Sequence, residues 1–135
     1  MRGFLFIRDE IICSPDTFYA RLYPRIQSTK ELFCSLYYTC WFPEYFGFNW
    51  NALDELIMDY SWIKEKNIII RHVNLPKIPY KDLVLYINSL ACSFKYFTEE
   101  DKNVMYVFDI DDKMKVIDIL SNNKEYDALI ISNSA

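Results

Sequence analysis

Short apolar runs alternate along the chain with longer stretches in which apolar residues recur every three or four positions. The first pattern is typical of buried strands and the second of amphipathic helices. It predicts strands at residues 4–8, 18–22, 68–72 and 104–108, weaker strands at 116–120 and 129–132, and helices at 29–39, 50–60 and 80–97. The alternation between residues 18 and 108 predicts an α/β fold: a small layered domain with a short, mainly parallel sheet, about three helices and extra terminal strands.

The predicted helix at 50–60 has two unlike faces. Asn49 precedes it and is a good N-cap residue, because its side chain can accept a hydrogen bond from a free N–H of the first turn. Helical spacing places an apolar stripe on one side: Leu53, Leu56, Ile57 and Tyr60. The same spacing on the other side gives a polar face that we expect to be exposed: Asn51, Asp54, Glu55 and Met58.

Acidic residues are concentrated around this helix. The net charge of the chain is −4, yet residues 31–63 contain no lysine, arginine or histidine. Five acids give this segment a charge of −5: Glu31, Glu44, Asp54, Glu55 and Asp59. A solvated acidic face is the simplest interpretation, but the segment coincides with a loop rich in aromatic residues, which favours a surface for a cationic partner. The negative balance disfavours nucleic acid as that partner.

Length and composition predict one globular domain over residues 1–135. Of the 135 residues, 52% are apolar and 25% charged, which is enough to bury a single core. No apolar run is long enough to span a bilayer, and the N-terminus has no signal-peptide pattern. We therefore expect a cytoplasmic protein without membrane contact.

The sequence contains no motif for catalysis or for cofactor binding. Two glycines cannot build a phosphate-binding loop, and the four cysteines form no C-x-x-C pair, so we expect buried structural thiols at Cys13, Cys34, Cys40 and Cys92. The single histidine, His72, falls in a predicted central strand and is expected to be a core or strand-end residue. We expect no cofactor, no metal and no catalytic residue.

Two groups of acids also lack the arrangement that chemistry requires. Asp109, Asp111 and Asp112 hint at calcium, but the EF-hand glycine and glutamate are missing, so we interpret them as a polar strand end. Asp54 and Glu55 are adjacent on a helix and point about 100° apart, so they do not converge on one bond as paired glycosidase carboxylates do.

Residues 42–56 read FPEYFGFNWNALDEL and resemble the barstar family of ribonuclease inhibitors. The pattern of that family is an apolar-Pro-x-aromatic-aromatic-Gly-x-Asn-apolar-Asp-Ala-Leu block that leads into an acid-bearing helix. The resemblance extends from about residue 18 through Pro76, and the helix and strand that follow fit the family topology. It implies a family core at about 18–108, with N- and C-terminal extensions.

The resemblance implies a function and a site. In this family the loop and the following helix block the active site of a small basic ribonuclease, with acidic side chains in the place of substrate phosphates. The partner would be a ribonuclease or another nuclease-type toxin domain, bound as a 1:1 complex by a monomer acting as an immunity protein or antitoxin. The partner-binding residues would be Tyr45, Gly47, Asn49, Trp50, Asn51, Asp54, Glu55, Met58 and Asp59.

Individual positions depart from the family pattern. By motif position, Tyr45 would enter the enzyme cleft and Glu55 would replace the aspartate that mimics a phosphate. Asn51 replaces a second acid by a neutral amide, and Asp54 replaces an aromatic residue. A protein-binding module with a non-ribonuclease toxin or a regulatory partner is the alternative, and an enzyme is the third. Gly47 is expected to let the loop turn sharply, where a β-carbon would be costly if its φ is positive.

Overall fold

Over the residues that the structure describes, the fold consists of a parallel sheet and four α-helices. The computed structural model describes residues 2–95, 97 and 101–122. Its strands are β1 (Arg2–Ile7), β2 (Thr17–Arg21), β3 (Asn67–His72) and β4 (Asn103–Asp109). Its helices are α1 (Thr29–Thr39), α2 (Trp50–Ile57), α3 (Tyr80–Lys95) and α4 (Lys113–Ser121), with a short 3-10 helix at Ile110–Asp112.

The α/β class is confirmed, and most elements fall where the hydrophobic pattern predicts them. Helix α1 has the predicted bounds, while α2 and α3 end a few residues early. The strand predicted at 116–120 is wrong, because these residues belong to α4. Its buried residues, Val116, Ile119 and Leu120, have helical spacing, which a five-residue window does not distinguish from a buried strand. The strand predicted at 129–132 lies outside the described residues.

The sheet has four strands in the order β1-β4-β3-β2, and every neighbouring pair is parallel. Strands β1 and β2 are consecutive in sequence but lie at opposite edges. The connection between them, residues 8–16, therefore has to cross the sheet. The extra N-terminal strand predicted from the sequence is β1, and it pairs with β4 along its whole length, from Arg2 beside Val104 to Ile7 beside Asp109.

The helices cover one face of the sheet and the β1–β2 connection covers part of the other. On the helix side, strand residues such as Phe4 and Ile70 join the helices in one apolar core. On the opposite side, the Arg71 guanidinium donates to the Asp9 carbonyl oxygen at 3.1 Å, which ties the connection to β3. Ile69, on this second face, is also buried.

The four cysteines form no disulfide, and Asp109 of the aspartate cluster caps a short helix. All four thiols are free, and burial raises the pKa of Cys40 to about 12. The expectation of burial is wrong for Cys13, which is exposed because it lies in the β1–β2 connection, and Cys34 and Cys92 are only half-buried. The Asp109 carboxylate accepts from the Asp111 N–H at 2.9 Å, which caps the 3-10 helix after β4.

His72 is a core residue, as predicted. Its Nδ1 lies 3.0 Å from the Val107 carbonyl oxygen, and its Nε2 lies 2.6 Å from the Tyr86 hydroxyl. Since a carbonyl only accepts, Nδ1 carries the proton and Nε2 accepts from Tyr86. The ring also stacks on Phe108 with the centroids 4.0 Å apart. Burial lowers the pKa of His72 to about 4, and the charge of Arg71 acts in the same direction.

This lowered pKa predicts acid-sensitive stability. The unfolded chain binds a proton at His72 below about pH 6.5, whereas the folded chain resists it until about pH 4, so acid favours unfolding in that window. We expect the contribution of His72 to be complete above pH 6.5 and about 2 kcal/mol smaller at pH 5. Urea unfolding at both pH values, compared with non-titrating His72→Gln, measures it. An equal pH effect in both proteins would contradict this assignment.

Candidate protein-binding surface

Helix α2 begins at a well-formed cap. Asn49 has an extended backbone, and its Oδ1 accepts from the Ala52 N–H at 2.8 Å. The other end of the same amide donates back to the Gly47 carbonyl oxygen at 3.1 Å. One side chain therefore satisfies a free N–H of the helix and fixes the end of the loop before it.

Gly47 does not have the positive φ considered from the sequence. The left-handed residue of the loop is Phe48, with φ of 53°. A β-carbon on Gly47 would instead lie 2.9 Å from Nδ2 of Asn49 and 3.7 Å from Cβ of Ala52. Glycine is therefore favoured here because a β-carbon would have to displace the capping amide of Asn49.

Aromatic rings hold the loop at 41–49 on the rest of the protein. Phe46 is buried, and its ring centroid lies 4.9 Å from those of Phe42 and Phe48. It also contacts Phe33 of α1 edge-on at 6.0 Å. The loop has no strand or helix of its own, so these ring contacts and the Asn49 cap determine its position.

The polar face of α2 is exposed, as its spacing predicts. Asn51, Asp54 and Glu55 are exposed, while the apolar stripe of the same helix is buried. In the described part of the chain neither carboxylate has an ion-pair partner. Tyr45 in the preceding loop is 76% exposed. The loop and the helix thus present the Tyr45 ring and two exposed acids to the solvent.

The C-terminal end of α2 differs from the predicted continuous helix. The helix ends at Ile57, Met58 is its C-cap, and Tyr60 has φ of 51°. Tyr60 is buried with its hydroxyl 2.6 Å from that of Tyr106 on β4. Asp59 is therefore not on the helix face, and its carboxylate accepts from the Ser61 N–H at 2.9 Å.

Trp50 is placed inward. Its ring centroid lies 4.8 Å from that of Phe33 and 6.3 Å from that of Tyr86, and its side chain is half-buried. Trp50 therefore packs the first turn of α2 onto the protein more than it faces a partner. Of the nine residues named from the sequence, Trp50 and Asp59 are half-buried and the other seven are exposed.

The sequence did not point to Trp41, which is 75% exposed. This residue follows Cys40, the C-cap of α1, and has φ of 57°. The Phe42 N–H donates to the Tyr37 carbonyl oxygen at 3.0 Å, so the end of α1 forms a Schellman motif with Trp41 at the position that glycine usually occupies. A bulky residue straight after a predicted helix end was the available signal.

Comparison with models of protein families identifies the chain. The model described as "Barstar (barnase inhibitor)" matches residues 18–108, which is more than half of the sequence. The chain belongs to the barstar family. The matched region of this barstar domain runs from β2 to β4 and includes the loop and α2, whereas β1 and α4 lie outside it. Comparisons with curated proteins and with solved structures gave no significant match.

Membership supports a barnase-inhibitor-like, protein-binding role for the barstar domain. Among the described residues, no three potential ligands from histidine, cysteine, aspartate or glutamate are grouped so as to hold a metal ion. No helix in that part of the chain has the length and apolarity needed to cross a membrane.

The contact between Gly47 and Asn49 predicts a non-additive pair of mutations. Gly47→Ala should destabilise the wild-type protein by about 1 kcal/mol, because the new methyl group displaces the capping amide. In an Asn49→Ala background the same change should cost little, since no amide remains to be displaced. Urea unfolding of the two single variants and the double variant measures the coupling. Equal costs in both backgrounds would show that the glycine is required for another reason.

Proposed function

We propose that this barstar domain is an inhibitor, an immunity protein or antitoxin, that binds a bacterial ribonuclease toxin and occludes its active site. The observation that carries the proposal is the exposed acidic face of α2, where Asp54 and Glu55 have no ion-pair partner among the described residues, beside the exposed ring of Tyr45. Family membership supports the class of partner.

The chemistry of the surface fits such a partner. A ribonuclease binds a polyanion, so its active site is positively charged and accepts carboxylates in the place of phosphates. The absence of any base between residues 31 and 63 leaves the field of the acids uncompensated within that segment, which speeds encounter with a cationic site. Tyr45 supplies an aromatic ring of the kind that anchors interfaces.

We assign contact roles to the remaining residues according to their exposure. Asn51 flanks the acids on the polar face of α2, Met58 is the exposed C-cap of that helix, and Asp59 lies past its end. Gly47 and Asn49 act indirectly, by setting the angle at which α2 is presented, and Trp50 contributes only its exposed edge.

We infer that the protein is not an enzyme. His72, the only histidine, is 1% exposed with both ring nitrogens engaged, and the buried Cys40 thiol has its pKa raised to about 12. Neither residue is available as a base or nucleophile. Protein rather than nucleic acid is the partner we propose, bound as a 1:1 complex by one domain spanning residues 1–135, in the cytoplasm where the toxin meets its RNA substrate.

A protein-binding module for a non-ribonuclease partner is the second candidate. The neutral amide of Asn51, exposed on the binding face where the family pattern has an acid, favours it. A pull-down from cells that contain candidate toxins distinguishes the two: recovery of a non-nuclease partner, without any effect on RNA cleavage, would favour this alternative.

Reversing the charge of Glu55 tests the proposed site. Glu55→Arg should weaken inhibition by about 2 kcal/mol or more, roughly 30-fold, because a cation would then face a cationic active site. RNA-cleavage assays against a panel of small basic bacterial ribonucleases, barnase among them, measure the inhibition constant.

The matched control is Asp118→Arg, the same change of charge at an exposed acid on α4. Equal inhibition by the two variants would show that α2 is not the contact. No inhibition of any panel member by the wild-type chain would contradict the proposed function itself.

A further inference from the structure

Trp41 is exposed for no reason that the fold supplies. It occupies the left-handed position that ends α1, where glycine is the residue the backbone favours. Its side chain is 75% exposed, so the ring gains little burial in return. Exposed aromatic rings are enriched among the residues that anchor protein interfaces, which makes Trp41 a candidate contact.

Trp41 forms one wall of an apolar groove. The groove has a volume of about 460 Å³ and is lined by Phe18, Trp41, Trp62, Ile63, Lys64 and Glu65. Its apolar walls come from the edge strand β2, the end of α1 and the segment that follows α2. The two charged residues cancel formally, so the groove selects an apolar side chain rather than a cation or an anion.

The groove adjoins the candidate surface on α2. The Trp62 indole N–H donates to the Cys40 carbonyl oxygen at 2.9 Å, and its ring lies 5.4 Å from that of Phe42, at the start of the binding loop. Trp62 also follows the C-cap of α2, Met58, by only four residues. Trp62 therefore joins the end of α2 to the end of α1.

One partner can reach both sites. Helix α2 has eight residues and is about 12 Å long. A standard interface covers about 800 Å² on each partner, a patch roughly 30 Å across. Such a patch is wider than the helix is long, so one centred on the acidic face extends past the end of α2, where the segment with Trp62 follows.

We propose that this groove is a second contact for the ribonuclease that α2 binds, and that Trp41 packs against an apolar side chain beside that enzyme's active site. The inference rests on the proposed function and adds to it. The acids of α2 recognise the positive charge of the active site, which ribonucleases share. The groove lies outside the acidic face, so its contact on the enzyme falls outside the charged active site, and Trp41 favours a ribonuclease that has an apolar side chain there.

The test uses Trp41→Gly in the full chain, against the panel member that the wild-type protein inhibits best. Glycine suits the left-handed backbone, so the thermal midpoint should stay equal or rise, while the dissociation constant should rise about tenfold. The loss should lie in the dissociation rate and leave the salt dependence of association unchanged, whereas Glu55→Arg should slow association and reduce its salt dependence.

Two further variants complete the design. Trp41→Asn removes the ring but also tolerates a left-handed backbone, so it provides the same measurement if the glycine variant folds poorly. Met114→Ala is the matched control, because Met114 lies on α4 and is 77% exposed.

The outcomes separate this inference from the proposed function. Binding of both Trp41 variants within about twofold of the Met114→Ala control, while Glu55→Arg still loses inhibition, would overturn the role of the groove and leave the proposed function intact. Failure of the wild-type chain to inhibit any panel member would remove both. A weaker Trp41 variant that is as stable as the wild type would support the inference.

Discussion

The packing of Phe46 is the interaction on which the proposed binding surface depends. Its ring is buried among Phe33 and Tyr37 of α1 and Phe42 and Phe48 of the loop. The loop has no regular structure to hold it, so removal of this ring would release the segment that positions Tyr45 and the start of α2. A buried phenylalanine reduced to alanine typically costs about 3–5 kcal/mol, a large share of the stability of a small domain.

Once the loop is held, the two faces of α2 have separate roles: one fixes the helix on the core and the other stays exposed. The apolar stripe, from Leu53 to Ile57, anchors the helix to the core, and the buried hydroxyl pair of Tyr60 and Tyr106 fixes the chain just after it. The acids on the opposite face are then held at a constant angle without taking part in the packing. Because these charges play no part in the packing of the fold, their arrangement can complement the charges of a partner. This suits an inhibitor of an enzyme that binds polyanions.

The sequence predicted the elements whose pattern is long enough to be periodic. Helix α1 was predicted with the right bounds, and the exposed face of α2 followed directly from the spacing of Asn51 and Glu55. Helix α4 was mistaken for a strand because residues 116–120 form a short apolar run that fits either a strand or a helix. The sheet order, with β1 added beside β4, depends on pairing between distant residues that a local pattern does not contain.

The site was predicted less completely than the fold, for two physical reasons. Gly47 did mark the turn, but the reason for a glycine there is that a β-carbon would lie too close to the Asn49 amide. The left-handed residue of the loop is its neighbour, Phe48. Trp50 belongs to the motif, yet packing against Phe33 turns most of it inward. Trp41 was missed because a bulky residue after a predicted helix end is only a weak signal, and the left-handed backbone that exposes its ring is visible only in the three-dimensional structure.

The most direct measurement of the central claim is a map of backbone amide shifts. The 15N-labelled chain would be titrated with a ribonuclease that it inhibits, and the shift of each assigned amide recorded at saturation. The largest changes should fall on residues 41–59, with Tyr45, Asp54 and Glu55 among them, and α4 should remain unchanged. Changes concentrated on α4 or β1, with α2 unaffected, would contradict the claim that the capped acidic helix and its loop form the binding surface.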